Sequence, residues 1–554
     1  MSVPPPATLS RHKQLLTRTL LVSSLTLLSR IAGFVRESLA ASVFGHASAI
    51  NDAFVTAWRV PNLFRSLLGE GAMTTSLQTA LTEEDAERGE AAGRLLFWRL
   101  VRFVLIASLV VTAGVMLLAW LLPDVMPVTG WQWLGDHPAP VRELLLRMMP
   151  FVVFVALAAV LGGALQVRGH FASTALAPVL MNLWWIAALF LVIAHHPAVE
   201  PAQEYERQFD MARELAWYLL VAGGLLVLVQ LPGLFRTGLC GRSIETPGTS
   251  PSALDARVRA VWRGALPLAF GAAVYQINVM IGGLMAEGLL TDGGPSILYY
   301  ATRLQQLPLS LVAVAATSAV FPAMAALGQA GQREQLRRLH ADTQLAVVYV
   351  ALPAAVGLFV FAEPVMAVCF EHGAFGAEGV TRGAAALRGL AVAVIPAGAV
   401  GLMARCCYAV GDLRTPVRVS VWVLLLGIGL NWLFVPILNL DVLGIALSSA
   451  FGAWLNLSLL LPVIQRHLGT STRLRERLWR VARMLLCALT SVGIGFWVWN
   501  FVTDDRRSAL SLTLGIGVAI GLYALLTTLA GLPEARLALQ RIGLSRGRTA
   551  GSSG

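Results

Sequence analysis

Five arginines stand inside or beside long apolar runs: Arg30, Arg36, Arg59, Arg65 and Arg303. An arginine at the centre of a membrane helix costs roughly 2.5–3.5 kcal/mol on insertion scales, so five facing lipid alone would cost on the order of 12 kcal/mol. A chain tolerates that load when the guanidiniums line a wet cavity and act on something there. A guanidinium is planar, always charged and matched to phosphate oxygens. The arginines therefore point to a membrane protein that handles a phosphate-bearing anion.

The acids and amides near these arginines sharpen the pattern. Glu37 lies seven residues after Arg30, nearly on one helical face, which is compatible with an internal ion pair. Arg36 sits well round the helix from Arg30, so one acid cannot satisfy both, and surplus positive charge remains for a ligand. Asp52, Arg59, Ser66 and Glu70 follow at spacings that keep them on one face of the next helix. There Asp52 and Glu70 are either structural partners of the arginines or gates toward the outer side, and Arg59 either joins them or snorkels to the interface. Asn62 and Arg65 are i, i+3 and can point together at one ligand; the alternative for Asn62 is a helix-to-helix hydrogen bond. Pro61 between them is expected to kink the helix. The Tyr299–Tyr300 pair before Arg303 allows a competing role in interface anchoring.

The helices that must position these groups are legible in composition. The chain has 554 residues, 56% hydrophobic and 13% charged, with a mean hydropathy of +0.69. Soluble domains carry about 25% charged residues, so this is an all-α polytopic membrane protein. The net charge is +11, and its arginines fall in short turns between apolar runs. That distribution favours a membrane protein over a nucleic-acid binder. The five cysteines show no CxxC or Cys/His metal spacing, so neither a disulfide nor a metal site is expected. The first apolar run is too long for a signal-peptide core and is expected to remain in the protein. No nucleophile–His–acid set stands out, and the chain does not read as an enzyme.

A bilayer core of about 30 Å needs roughly 20 apolar residues per helix. Fourteen candidate spans result, near 19–44, 53–81, 99–122, 143–167, 174–194, 214–235, 261–288, 297–327, 343–369, 385–410, 417–437, 442–464, 481–501 and 508–531. Alternate turns are rich in arginine, as in Arg88, Arg94, Arg99 and Arg102, or Arg333, Arg337 and Arg338, whereas the turn at 123–140 has none. The positive-inside rule then puts both termini in the cytoplasm.

The chain also repeats itself. LQVRGHFASTALAPVLMN, with Gly169, Pro178 and Asn182, and CYAVGDLRTPVRVSVWVLLLGIGLN, with Gly411, Pro416 and Asn431, both read as helix, tight glycine turn and new helix with an early proline. AWRVPNLFRSLLGEGAM and ATRLQQLPLSLVAVAAT each place an arginine and then a proline near the start of a long helix. The expected plan is two six-helix lobes, at 15–240 and 255–468, around a central cavity, joined by a polar Gly/Pro/Ser/Thr linker at 237–256, with a helix pair at 478–535.

The stretch SSLTLLSRIAGFVRESLAASVFGHASAINDAFVTAWRVPNLFRSLLGEGAM resembles the N-terminus of the MurJ (MviN) family of lipid II flippases, in the multidrug/oligosaccharidyl-lipid/polysaccharide exporter superfamily. YYATRLQQLPLSLVAVAATSAVFP, FEHGAF and YAVGDLRTP further along are also similar to family signatures. The resemblance covers about 15–470. It implies two lobes around a V-shaped cavity, with the last two helices forming a groove for a polyprenyl tail. It implies the transfer of undecaprenyl-diphosphate-linked peptidoglycan precursor from the cytoplasmic to the periplasmic leaflet of the bacterial inner (cytoplasmic) membrane by alternating access. The family's functional arginines in its first, second and eighth helices carry over to Arg30, Arg36, Arg65 and Arg303, with Asp52 as the matching acid. Glu37 stands where the family often has Asp. Many relatives have acids flanking the eighth-helix arginine, where this chain has Thr302 and Gln306. The region of the sodium site found in some relatives offers Asn278 and Asn431 but no acid in the body of its helices, so sodium is not expected there.

The substrate-binding set is accordingly Arg30, Arg36, Asn62, Arg65 and Arg303, with Glu37, Asp52, Arg59 and Glu70 as gates or charge partners. No cofactor is expected; membrane potential or a coupling cation would drive the cycle. The partners are lipid II, the membrane and cell-wall synthesis proteins, with no nucleic acid. The competing functions are a multidrug antiporter, which would want acids in its cavity, an exporter of another polyprenyl-diphosphate-linked glycan, and a scaffold that binds a polyprenyl lipid without moving it.

Overall fold

The computed structural model describes residues 6–69, 72–121, 138–241, 251–469, 474–502, 505 and 507–536. Among these the architecture is helical throughout: α1 (Pro6–Phe44), α2 (Ala49–Gly69), α3 (Ala72–Arg88), α4 (Glu90–Leu121), α5 (Pro138–Met148), α6 (Phe151–Val167), α7 (Ala172–His195), α8 (Glu204–Leu228), α9 (Leu231–Arg236), α10 (Pro251–Leu289), α11 (Gly294–Gln329), α12 (Arg333–Val360), α13 (Ala362–Phe370), α14 (Gly376–Val392), α15 (Val394–Ala409), α16 (Arg414–Trp432), α17 (Asp441–Leu468), α18 (Leu474–Val502) and α19 (Ala509–Leu529). Nine helical stretches among the described residues are long and apolar enough to cross a membrane, and ten if the pair α14–α15, bent by 40°, is one path. Much of their apolar surface faces outward: Trp120 is 67% exposed, Trp422 69% and Leu510 83%. Such faces are sustained by lipid rather than by water.

Several predicted spans are two helices each. The fourth breaks between α5 and α6, the sixth between α8 and α9, the ninth between α12 and α13, and the tenth between α14 and α15. Pro150, Pro232, Pro364 and Pro396 stand at or in the first turn of the following helix, where a missing N–H costs little. Of the second predicted span, 53–81, the described residues are helical up to Gly69 and again from Ala72. Pro61 lies inside α2, which runs on past it.

The repeated glycine turns are built alike. Gly169, with φ 74°, lets His170 N–H close on the Leu165 carbonyl at 2.8 Å; Gly411, with φ 84°, lets Asp412 N–H close on Cys407 at 2.9 Å. This six-to-one closure needs a left-handed residue, for which glycine carries no Cβ penalty.

The chain divides into two compact units, Met1–Gly288 and Leu289–Gly554. In the first, α3, α4, α6 and α10 share a core that includes Leu77, Leu96, Phe97, Ala156, Leu161 and Val258. α10 falls in this unit although it follows the predicted linker. Arg257 near its start pairs with Glu84 and, at 2.7 Å, with Glu87 of α3. Asp255 pairs with Arg99 at 2.7 Å, and the Trp262 and Phe103 rings lie 5.4 Å apart.

In the second unit a core of Met324, Leu402, Cys406, Cys407 and Leu460 joins α11, α15 and α17. All five cysteines are free thiols. α18 and α19 cross at Gly495 and Gly515, where a Cβ on Gly495 would stand 2.5 Å from the Gly515 carbonyl oxygen. The pair is fastened to α12 by Tyr523 Oη, which donates to the Tyr349 carbonyl at 2.8 Å, and by a 3.0 Å hydrogen bond between Tyr349 Oη and Thr527 Oγ1.

Two outcomes follow. Gly495→Leu should destabilise the purified protein by about 1–3 kcal/mol through overpacking, read as a lower melting midpoint in detergent. Gly517→Leu, where a Cβ meets nothing within 4 Å, should not. In the turn before α16, Asp412 accepts the Thr415 N–H at 3.0 Å and faces His467 Nε2 at 3.1 Å. Burial pushes its carboxyl up, but these two groups outweigh that and hold it below the usual carboxylate range. A lowered folded pKa stabilises above the unfolded value and is lost as pH falls through it. Asp412→Asn should therefore cost about 1 kcal/mol near neutral pH and reduce the loss of stability on acidification.

Candidate functional site

Arg36 is the most fully described of the predicted residues. It lies on α1 with its side chain 11% exposed, paired with the neighbouring Glu37. Its Nη1 donates to Asn182 Oδ1 of α7 at 3.0 Å. Its Cζ lies 4.4 Å from the centre of the Trp185 ring, also on α7. An acid, a neutral amide and an aromatic face thus share one guanidinium, which has five donors in all. By spacing Glu37 shares a face with Arg30, which allows an internal ion pair; the structure also pairs Glu37 with its neighbour Arg36. Arg30, six residues earlier, is exposed.

α2 carries the next group. Arg65 Nε donates to Asn62 Oδ1 at 2.9 Å, so the i, i+3 pair does converge, and the amide orients the cation. Asp52 is buried at 3% exposure. The Arg59 side chain lies across the backbone of Gly283 in α10, where an added Cβ would come within 2.4 Å of its Cδ, Nε and Cζ. Its stem is packed between helices rather than simply reaching for the interface. Ser66 donates to the Leu63 carbonyl at 3.1 Å within its own helix. Glu70 lies outside the described residues.

One residue of this neighbourhood was missed. Glu287, in the last turn of α10, is buried and accepts a 2.6 Å hydrogen bond from Thr56 Oγ1 of α2. Thr56 and Arg59 are one turn apart on α2, and Glu287 and Gly283 one turn apart on α10. The two helices therefore meet along a stripe holding an acid and a cation. The available signal was a lone acid, in LMAEGLL, ending an apolar run.

In the second unit, Arg303 of α11 donates to Gln306 Oε1 at 3.1 Å and to Tyr299 Oη at 2.7 Å, with its Cζ 4.6 Å from the Tyr299 ring centre. Both of these partners are neutral, and they orient the guanidinium. Thr302 bonds back to the Leu298 carbonyl at 2.7 Å. The preceding tyrosines are buried rather than set as interface anchors: Tyr300 is 1% exposed and packs 5.0 Å from Phe370 and 6.0 Å from Phe375. The YYATR and FEHGAF motifs are thus one packed cluster. Among the described residues no group of three or more His, Cys, Asp or Glu side chains is placed to hold a metal ion.

Chemically, these sites offer guanidiniums oriented by amides, phenols and aromatic rings inside a membrane protein. Such groups bind an anion, but none is poised for bond-making chemistry.

Comparison with known proteins agrees. The family model described as lipid II flippase MurJ matches residues 40–534. The chain is 32% identical over 499 residues to the lipid II flippase MurJ of Burkholderia cenocepacia, covering 86% of this chain and 89% of that protein. It is 29% identical to a probable lipid II flippase MurJ of Rhizobium tropici, over 93% and 94% of the two chains. A solved structure of lipid II flippase MurJ in an inward closed conformation superposes with a TM-score of 0.69 at 19% identity, covering 92% of this chain and 98% of that one. An inward-facing multidrug MATE transporter of the MOP superfamily superposes at 0.63 with 14% identity, over 82% and 99%. The last two likenesses speak to fold; the sequence matches speak to descent, and on them this chain belongs to the MurJ family of lipid II flippases.

Proposed function

We propose that this protein carries lipid II, the undecaprenyl-diphosphate-linked peptidoglycan precursor, from the cytoplasmic to the periplasmic leaflet of a bacterial inner membrane by alternating access. It is a transporter and not an enzyme. The family match across nearly the whole chain is the observation that carries this reading.

Within it, Arg30, Arg36 and Arg65 of the first unit and Arg303 of the second engage the diphosphate during the cycle. What supports their assignment is that amide acceptors orient Arg36, Arg65 and Arg303, with aromatic faces beside Arg36 and Arg303 and the Glu37 carboxylate also paired to Arg36. An oriented guanidinium presents its donors to phosphate oxygens. Asn62 positions Arg65. Glu37, Asp52, Arg59 and Glu70 compensate charge while the substrate is absent. The helix pair α18–α19 accompanies the polyprenyl tail, and its outward apolar faces suit that contact. Both termini lie in the cytoplasm, on the arginine asymmetry of the turns. Cell-wall synthesis enzymes that consume the flipped lipid are the expected protein partners.

No cofactor is needed. Moving one net negative charge outward against an inside-negative potential gains about 2.3 kcal/mol per 100 mV, less the charge that moves with the arginines. In proteoliposomes with labelled lipid II, a potassium-diffusion potential, negative on the side where lipid II starts, should accelerate flipping; a rate unchanged by potential would exclude this drive.

Arg36→Ala and Arg303→Ala should each abolish flipping while the protein still folds and inserts. In cells depleted of the native flippase, lipid II should then accumulate on the cytoplasmic face. Wall synthesis sustained by either variant would remove that arginine from the site.

A further inference from the structure

The orientation of Arg36 depends on a residue of another helix. Asn182 of α7 is 6% exposed. Its amide nitrogen donates to the Ser29 carbonyl at 2.9 Å and also reaches Ser29 Oγ at 3.3 Å. A backbone carbonyl only accepts, so the NH2 end of the amide must face Ser29 and the carbonyl end must face Arg36. Gly33 lies beside this amide, where a Cβ would meet Asn182 Nδ2 at 3.4 Å, an ordinary contact. Trp185, one turn along α7 from Asn182, places its ring against the guanidinium. α7 therefore presents α1 with a neutral acceptor and a π face whose geometry is set from the α1 backbone.

We propose that Asn182 is a positioning residue for lipid II transport, holding Arg36 by a neutral amide so that its remaining donors stay available to the diphosphate. The inference rests on the reading of Arg36 as a diphosphate contact. The residue type matters here. A carboxylate at 182 would grip Arg36 more strongly, since ionised acceptors form the stronger hydrogen bonds. With Glu37 already paired to Arg36, a second acid would add negative charge beside the guanidinium and oppose the approach of the phosphate groups. An apolar side chain would leave Arg36 to Glu37 and the indole alone.

The test compares wild type, Asn182→Asp, Asn182→Ala and Arg36→Ala, each purified full length. Binding of undecaprenyl diphosphate is measured by native mass spectrometry, and thermal stability in the same detergent. Asn182→Asp keeps an acceptor toward Arg36 but loses the donor to the Ser29 carbonyl, so it is expected to lose stability, as Asn182→Ala does, yet to bind more weakly than Asn182→Ala and about tenfold or more weakly than wild type. Asn182→Ala is expected to bind more weakly than wild type with a modest loss of stability. A merely structural asparagine would give the opposite result, with affinity falling only as far as stability falls, and that outcome overturns the proposal. If Arg36→Ala loses binding while both Asn182 variants bind like wild type, the positioning role fails alone. If Arg36→Ala itself binds like wild type, the diphosphate assignment of Arg36 fails first.

Discussion

A guanidinium inside a membrane protein must be solvated by the protein, and this constraint organises the structure around its arginines. Arg36 meets Glu37, Asn182 and Trp185. Arg65 meets Asn62, and Arg303 meets Gln306 and Tyr299. Amides, phenols and rings predominate among these contacts. Each lowers the cost of placing the cation in a low-dielectric region, and at Arg36 the Glu37 carboxylate adds an ion pair. The helices are arranged to deliver those partners: α7 packs on α1 and brings Asn182 and Trp185 to Arg36, while Asn62, Tyr299 and Gln306 come from turns adjacent to their arginines on the same helices.

At the helix ends the chain does the reverse. Arg257 is shared by Glu84 and Glu87, Arg168 by Asp85 and Glu90, and Arg382 is gripped twice by Asp441. Arg507 ties the turn before α19 to Glu371 of FEHGAF at 2.9 Å. These are carboxylate pairs that fasten turns to one another. Asp85 shows the balance: burial pushes its carboxyl up, and the Arg168 guanidinium only partly offsets that. Here the arginines hold turns together through carboxylates, whereas amide and phenol groups orient Arg65 and Arg303.

The glycines divide along similar lines. Gly169 and Gly411 turn the chain with left-handed backbone, whereas Gly33, Gly283, Gly495 and Gly515 are surfaces on which another group lies. Only the first kind can be read from a turn pattern; the second depends on what another helix brings.

Sequence alone determined the class of the molecule. Long apolar runs with few charges dictate membrane helices, and the motifs around Arg30–Arg65, Arg303 and FEHGAF carry the family. The Asn62–Arg65 pair was also legible, because i, i+3 geometry is fixed by the helix itself. Tertiary structure decided the rest, since contacts between helices have no spacing rule. It paired Glu37 with Arg36, drew Asn182 and Trp185 from α7 onto that cation, set Glu287 against Thr56 across 231 residues, and packed Tyr300 on the phenylalanines of FEHGAF. It also broke predicted spans at first-turn prolines, where hydropathy stays continuous but the backbone hydrogen-bond ladder does not.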